Sequence, residues 1–147
     1  DLNILWAQCQ QILRDNLSQS AYQTWFAPVM ALQYENDVLV LQVKSQFIVE
    51  YIEENYQNDL SLSLLAKEFM MSSKYLSSVF KKTTGMNLNR YINIVRINRA
   101  EVMLRETEIS IQDISYLCGY GDCSYFTKVF REIMGETPTE YRINRTK

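Results

Sequence analysis

The chain has 147 residues, enough for one ordinary domain or two small ones, and no histidine, which removes the usual general base and excludes Ser-His and Cys-His nucleophilic catalysis. Its three cysteines, Cys9, Cys118 and Cys123, make no CxxC pair, so reduced thiols are expected rather than a disulfide framework or a metal site. The net charge of −2 averages two unlike parts: residues 1–56 carry two basic and seven acidic side chains (−5), and residues 57–147 carry thirteen and ten (+3).

That asymmetry points mildly to nucleic acid as the partner of the second part. No apolar run approaches the roughly 20 residues of a membrane span. The N-terminal segment lacks the basic start and apolar run of a signal peptide, and a cytoplasmic location is expected. A start at Asp1 without methionine is expected of a fragment or a processed chain. No cofactor and no metal are expected, and the chain reads as a non-enzyme.

Residues 4–17 place Leu5, Trp6, Cys9, Ile12 and Leu13 at helical spacing, which predicts an amphipathic helix. Ser18 and Ser20 are candidate caps for AYQTWFA, which Pro28 ends because proline disfavours helix in the residue before it. ALQY and VLVLQV then flank Glu35-Asn36-Asp37, with Leu39, Leu41 and Val43 alternating against Val38, Val40 and Gln42, the pattern of a β-hairpin. From Ser45, a candidate cap, the pattern is helical to the end. FIVEYIEENY is followed by a break at Asn58-Asp59 and by LSLLAKEF. Ser72 or Ser73 caps the next helix and Gly85 closes it. Asn87 starts a long helix over roughly 88–106, with Leu88, Ile92, Val95 and Met103 along one side. Ser110 and Asp113 bracket the start of IQDISYLC. Asp122 caps a further helix that ends at Gly135, and TPTE (137–140) is a capping box with proline at the first helical position.

One helix is written twice. YLSSVFKKTTG (75–85) and YFTKVFREIMG (125–135) repeat tyrosine, valine, phenylalanine and glycine at an offset of 50 residues (125 minus 75). Each copy follows a short helix and a tight turn, the helix-turn-helix arrangement whose second helix enters the major groove. Leu76, Val79, Phe80 and Phe126, Val129, Phe130 fall at i, i+3 and i+4 and are read as core. The exposed faces are then Ser73, Lys74, Ser77, Ser78 and Lys81 in the first copy. In the second they are Cys123, Ser124, Thr127, Lys128 and Arg131. Small hydroxyls and single cations suit the floor of a groove, where they reach base edges or phosphates. Lys81, Lys82, Arg96, Arg99 and Arg131 are the candidate phosphate contacts. A plainer role competes for the three at helix ends, since Lys81, Lys82 and Arg131 would also complement the helix dipole. The doubled motif, joined by one helix of about 28 Å, favours two grooves roughly 34 Å apart on one side of a duplex.

RINRAEVML (96–104) and ISYLCGYGDCSYFTKVFREIMGETPTEYR (114–142) carry the runs Gly-aromatic, Ser-Tyr-Phe, Phe-Arg, Gly, Thr-Pro and Tyr-Arg. On these residues, 47–147 resembles the DNA-binding domain of the AraC/XylS family of bacterial transcription regulators. The resemblance implies a seven-helix domain with recognition helices at about 73–84 and 123–134. It implies base contacts by Lys74, Ser77 and Ser78 and by Cys123, Ser124, Thr127 and Lys128. Ser77 and Ser78 are short where relatives often carry longer donors, which implies weak or water-mediated readout by the first helix. Ser115 replaces a usual alanine.

Residues 5–56 resemble instead the N-terminal domain of the replication initiator DnaA, through Leu5-Trp6, the Ser20-to-Trp25 spacing before Phe26-Ala27-Pro28, the hairpin, and Ser45-Gln46-Phe47. Lys44 stands where proline is more usual, and the rest of that domain's third helix and its closing strand are not evident after Tyr56. This resemblance implies a protein-contact module with little affinity for duplex DNA, in keeping with the −5 charge.

The expected architecture is therefore mainly α. A small α+β unit, 1–46, with two helices and a β-hairpin, shares helix 46–57 with an all-α double helix-turn-helix domain, 47–147. The leading function is sequence-specific binding of double-stranded DNA as a transcription regulator. A protein partner or self-association through residues 1–46 stands beside it. The alternative is an interaction module fused, naturally or by engineering, to a degenerate DNA-binding half.

Overall fold

Most of the helices start where a side chain accepts from the free N–H groups of the first turn. Asp1 accepts from Asn3 and opens α1 (Leu2–Asn16), and Ser18 accepts from Ala21 and opens α2 (Gln19–Ala21). The structure, a computed structural model, describes residues 1–42 and 45–145. Its contacts divide the chain into two units, Asp1–Val49 and Glu50–Lys147. The expectations placed on Val43, on Lys44 and on the Ser45 side chain lie outside the described residues.

In the first unit α2 runs directly into a π-helical segment, Tyr22–Phe26, which ends at Ala27 before Pro28. Ser18 is the cap, while Ser20 lies inside α2. Strands β1 (Met30–Glu35) and β2 (Val38–Gln42) pair antiparallel, with Glu35 opposite Val38. The turn is two residues rather than three. Asn36 and Asp37 both sit at positive φ (+49° and +61°), the left-handed pair that matches the twist of a hairpin. The register slips between Ala31 and Gln33, so Leu32 is an extra residue, a β-bulge. The expected inward row is reduced as a result: Leu39 and Ala31 are half-buried and Leu41 is exposed. Trp6 donates its indole N–H to Val29 O (3.3 Å), and Trp25 stacks on Phe47 with centroids 5.6 Å apart. Tyr22, Val29, Phe47 and Ile48 are buried. Leu5, Trp6, Cys9 and Leu13 of α1 are half-buried, whereas Ile12, expected on the same face, is 63% exposed.

The second unit begins within helix α3 (Ser45–Asn55) and continues through α4 (Leu62–Glu68), α5 (Ser73–Thr84), α6 (Leu88–Glu106), α7 (Ile111–Leu117), α8 (Cys123–Met134) and α9 (Pro138–Arg145). Helices α3 to α9 correspond to the seven expected. Ser61, Ser72, Asn87, Ser110 and Asp122 cap α4 to α8 through side-chain acceptors. Thr137 and Glu140 close a reciprocal capping box at α9 (2.8 and 3.2 Å). Gly85 and Gly135 end α5 and α8 in the left-handed conformation.

Helix α6 belongs to both halves of this unit. Its first half buries Leu88 and Ile92, and it packs on α5. Its second half buries Ile97, Ala100 and Leu104 in a cluster with Ile114, Cys118, Tyr120, Phe126, Val129, Phe130 and Tyr141. Val95 and Met103, expected on the inner stripe, are half-buried, and Arg96 and Ala100 take the inner positions. Among the described residues no helix is long and apolar enough to cross a membrane.

Candidate nucleic-acid interface

The two halves of the second unit repeat bond for bond. In the first helices and turns the offset is 49 residues. Phe69 N–H donates to Leu65 O and Cys118 N–H to Ile114 O, both at 2.9 Å. Met71 N–H donates to Ala66 O (2.8 Å) and Tyr120 N–H to Ser115 O (3.0 Å). From the caps onward the offset is 50, because the second turn holds one more residue, Gly121. Leu76 N–H donates to Ser72 O and Phe126 N–H to Asp122 O, both at 3.0 Å.

The repeat extends beyond the helix-turn-helix. Phe80 meets Tyr91 edge to face at 5.5 Å, and Phe130 meets Tyr141 in the same way at 5.7 Å. Tyr91 donates its hydroxyl to Glu53 (3.0 Å), and Tyr141 donates its own to Glu101. Burial, and then Glu53, push the Tyr91 phenol up to about 12, so it stays a donor at neutral pH. Helices α5 and α8 are thus held by the same parts, a buried phenylalanine locked by a tyrosine from the helix that follows.

This packing decides which side chains are free. Leu76 and Phe80, and Phe126, Val129 and Phe130, are buried, as their spacing predicts, whereas Val79, expected in the same core, is half-buried. On α5, Ser73, Lys74, Ser78, Lys81 and Lys82 are exposed and Ser77 is half-buried. On α8, Ser124, Lys128 and Arg131 are exposed, and Cys123 and Thr127 are half-buried. Cys123 packs against the core cluster, and Thr127 donates its hydroxyl to Cys123 O (2.9 Å). Helix α5 carries no acidic residue and α8 carries one, Glu132. The ion pairs among the described residues are Glu101–Arg105, Glu106–Arg105 and Glu136–Arg145. None of them engages Lys74, Lys81, Lys82, Lys128 or Arg131, whose charges remain open to an anionic partner.

The cations on α6 are different. Arg99 is exposed with its guanidinium over the Tyr56 ring at 5.6 Å, so it is open to solvent on its far side. Arg96 is not a surface cation at all. It is 9% exposed and donates from Nε to Tyr56 O (2.9 Å) and from Nη2 to Asn58 O (2.8 Å), with Cζ 5.3 Å from the Tyr120 ring centroid. The expectation that Arg96 meets phosphate is corrected here. The period of α6 turns position 96 inward with Ile92 and Ala100, and there the guanidinium satisfies two carbonyls beyond the end of α3.

Two equivalent residues escaped the sequence reading. Tyr75 and Tyr125 are 55% and 51% exposed at matching places near the starts of α5 and α8. The signal was present, since both lie inside the 50-residue repeat, but an aromatic in such a row is usually core. Cys118 is buried, and burial pushes its thiol up to about 11, so it is packing rather than chemistry. Among the described residues no cluster of three Cys, Asp or Glu is placed to hold a metal ion.

A helix-turn-helix domain model matches residues 65–144, and a DnaA N-terminal domain model matches residues 3–65. The C-terminal domain of a two-component response regulator from Fusobacterium nucleatum superposes with a TM-score of 0.64 at 32% identity, over 67% of this chain and 97% of that one. A transcriptional regulator from Chromobacterium violaceum, described as having an AraC-type DNA-binding domain, superposes with a TM-score of 0.60 at 30% identity, over 67% of this chain and 88% of that one. The chromosomal replication initiator protein DnaA of Bacteroides thetaiotaomicron is 34% identical over 97 residues, 66% of this chain and 20% of that protein. The chain spans 20–36% of the length of three of the curated relatives it matches.

Proposed function

This chain belongs to the AraC-type helix-turn-helix family, whose domain matches residues 65–144, and from that premise we propose that it binds double-stranded DNA sequence-specifically as a bacterial transcription regulator. Helices α5 and α8 occupy successive major grooves. The observation that carries this reading is the matched pair of recognition helices, each held by the same buried contacts and each presenting an acid-poor face with cations in no ion pair. The 19 residues of α6 rise about 28 Å, close to the ~34 Å between groove faces on one side of B-DNA.

Lys74 and Ser78 on α5, and Ser124 and Lys128 on α8, are the principal base readers, with Ser73 at the start of α5 beside them. Ser77, Cys123 and Thr127, half-buried, line the edges of the two faces. Lys81, Lys82, Arg99 and Arg131 hold phosphates, and the hydroxyls of Tyr75 and Tyr125 add backbone contacts at equivalent places. The protein acts in the cytoplasm, without a cofactor and without catalysis.

Residues 1–46 form the protein-contact unit, and α3 (Ser45–Asn55), expected over 46–57, is common to it and to the DNA-binding unit 47–147. The first unit is acidic, which disfavours DNA, and its hairpin exposes Met30, Val38 and Val40. A second copy or a protein partner retained through residues 1–46 supports this assignment, and its absence from pull-down and sedimentation removes it.

Selection of bound sites from random duplex DNA tests the main reading, with a two-part motif spaced by about one helical turn as the expected result. Lys128→Ala then relaxes one base position by about 1–3 kcal/mol, while Lys81→Ala weakens all sequences and lowers the salt slope by about one unit. Equal loss on cognate and random DNA with Lys128→Ala overturns the base-reading role. If no salt-sensitive complex forms with any duplex, the interaction-module alternative holds instead.

A further inference from the structure

Arg96 is a buried cation that none of the ion pairs among the described residues engages, a situation that costs free energy unless the surroundings use the charge. Here both nitrogens that bond are directed at one short stretch, Tyr56 O and Asn58 O, just before Ser61 caps α4. That stretch is where the first helix-turn-helix begins. The other side of the guanidinium faces the second one. The Tyr120 ring lies over Cζ, and Gly119 lies so close that an added Cβ would stand 3.1 Å from Arg96 Cζ and Nε and 2.5 Å from Tyr56 O. Tyr120 is tied again to α6 by its hydroxyl, which donates to Asn93 (2.9 Å).

These contacts form three layers: the start of the first helix-turn-helix, a guanidinium rooted in the connecting helix, and the turn of the second. Helix α8 reaches these layers through Tyr125 and Phe126, whose rings lie 6.0 and 5.3 Å from the Tyr120 ring. The equivalent turn in the first half has nothing comparable, since Met70 is 94% exposed there. The core contacts of α5 and α8 hold each helix on its own part of α6. The Arg96 contact fastens the start of the first half to the turn of the second.

We propose that Arg96, seated between Gly119 and the Tyr56–Asn58 carbonyls, is a positioning residue that fixes the phase between the two recognition helices, and so dictates the half-site spacing the protein accepts. The proposal rests on the DNA-binding function argued above and adds a determinant of specificity that touches no nucleotide. Lysine keeps the charge at this place but loses the planar two-pronged donation. Arg96→Lys and Arg96→Met therefore form a graded series.

The test uses the full chain and the two-part motif recovered by selection. Fluorescence anisotropy compares duplexes with the native spacing, duplexes with two base pairs inserted or removed, and single half-sites, each over a range of salt. The wild type is expected to favour the native spacing by tenfold or more. Arg96→Lys lowers that preference several-fold and Arg96→Met brings it near unity. In both, half-site affinity stays within about twofold and the salt slope is unchanged. Should Arg96→Met lose its cooperative melt, Arg96→Lys alone decides. Full spacing preference in the folded variants overturns the proposal, as does a salt slope reduced by about one unit, which would make Arg96 a phosphate contact. Absence of salt-sensitive binding by the wild type overturns the DNA-binding function itself, and this proposal with it.

Discussion

In the turn of the first helix-turn-helix Met70 stands at φ +53° and is 94% exposed, while at the equivalent place in the second Gly119 stands at φ +90° against the carbonyl of Tyr56. Both turns need a left-handed residue to reverse the chain, and in both the very next residue donates its N–H to the preceding helix. Only the second needs it in a crowded place. A methionine is tolerated where the turn faces water, at the cost of backbone strain, and glycine is required where another segment packs on the turn. The caps differ in the same spirit: a neutral Ser72 opens α5 and a charged Asp122 opens α8. The same backbone path therefore serves two chemical settings, a more cationic first helix-turn-helix and a more deeply packed second one.

The comparison is best broken at the phenylalanines. Phe80→Ala and Phe130→Ala each remove a fully buried ring and are expected to cost about 3–5 kcal/mol. Phe130→Ala lies at the upper end, because Phe130 touches both Phe126 (5.8 Å) and Tyr141 (5.7 Å) whereas, among the described residues, Phe80 has the single aromatic neighbour Tyr91. Urea midpoints measured side by side rank them; an equal loss would mean the two cores are equally determined.

The turns come next. Gly119→Ala meets both the left-handed backbone and a 2.5 Å approach to Tyr56 O, and loses about 1–3 kcal/mol. Met70→Gly moves the other way and gains about 0.5–1 kcal/mol, since relief of the left-handed strain outweighs the added freedom of the unfolded chain. Thermal denaturation of both variants reads the contrast, and a stabilised Gly119→Ala would show that the second turn is not crowded.

The smallest effect belongs to the caps. Asp122→Asn keeps an acceptor for the N–H groups of Ser124 and Tyr125 but removes a negative charge from the start of α8. DNA affinity is expected to rise by about 0.3–1 kcal/mol at low ionic strength, and the gain to vanish at high salt. Ser72→Asp should give the mirror result on α5. A gel shift over a salt series checks both, and an unchanged affinity would place the helix starts away from phosphate.

Much of this was legible in the chain. The caps at Ser18, Ser72, Asn87, Ser110 and Asp122 and the glycine stops at 85 and 135 act within a few residues of themselves, so local pattern suffices to place them. Elsewhere the pattern was insufficient. The bulge at Leu32 breaks the strand alternation, and Leu41 turns out exposed; alternation is defined only once a register exists. Ile12 has helical spacing with Leu5 yet stands 63% exposed. Tyr75 and Tyr125 look like core and stand in solvent.

What the sequence determined by itself was the doubled helix-turn-helix, the capped ends of most helices and the inward faces of α5 and α8, because each is encoded by side chains a few positions apart on one element. Arg96 marks what only the tertiary structure decided. An arginine on an amphipathic helix is open to DNA or to its own protein on equal terms. The choice is made by carbonyls 38 and 40 residues earlier in the chain and by the turn around Gly119 and Tyr120 later in it. Bonds of that range exist only after the helices have packed, so no local pattern announces them.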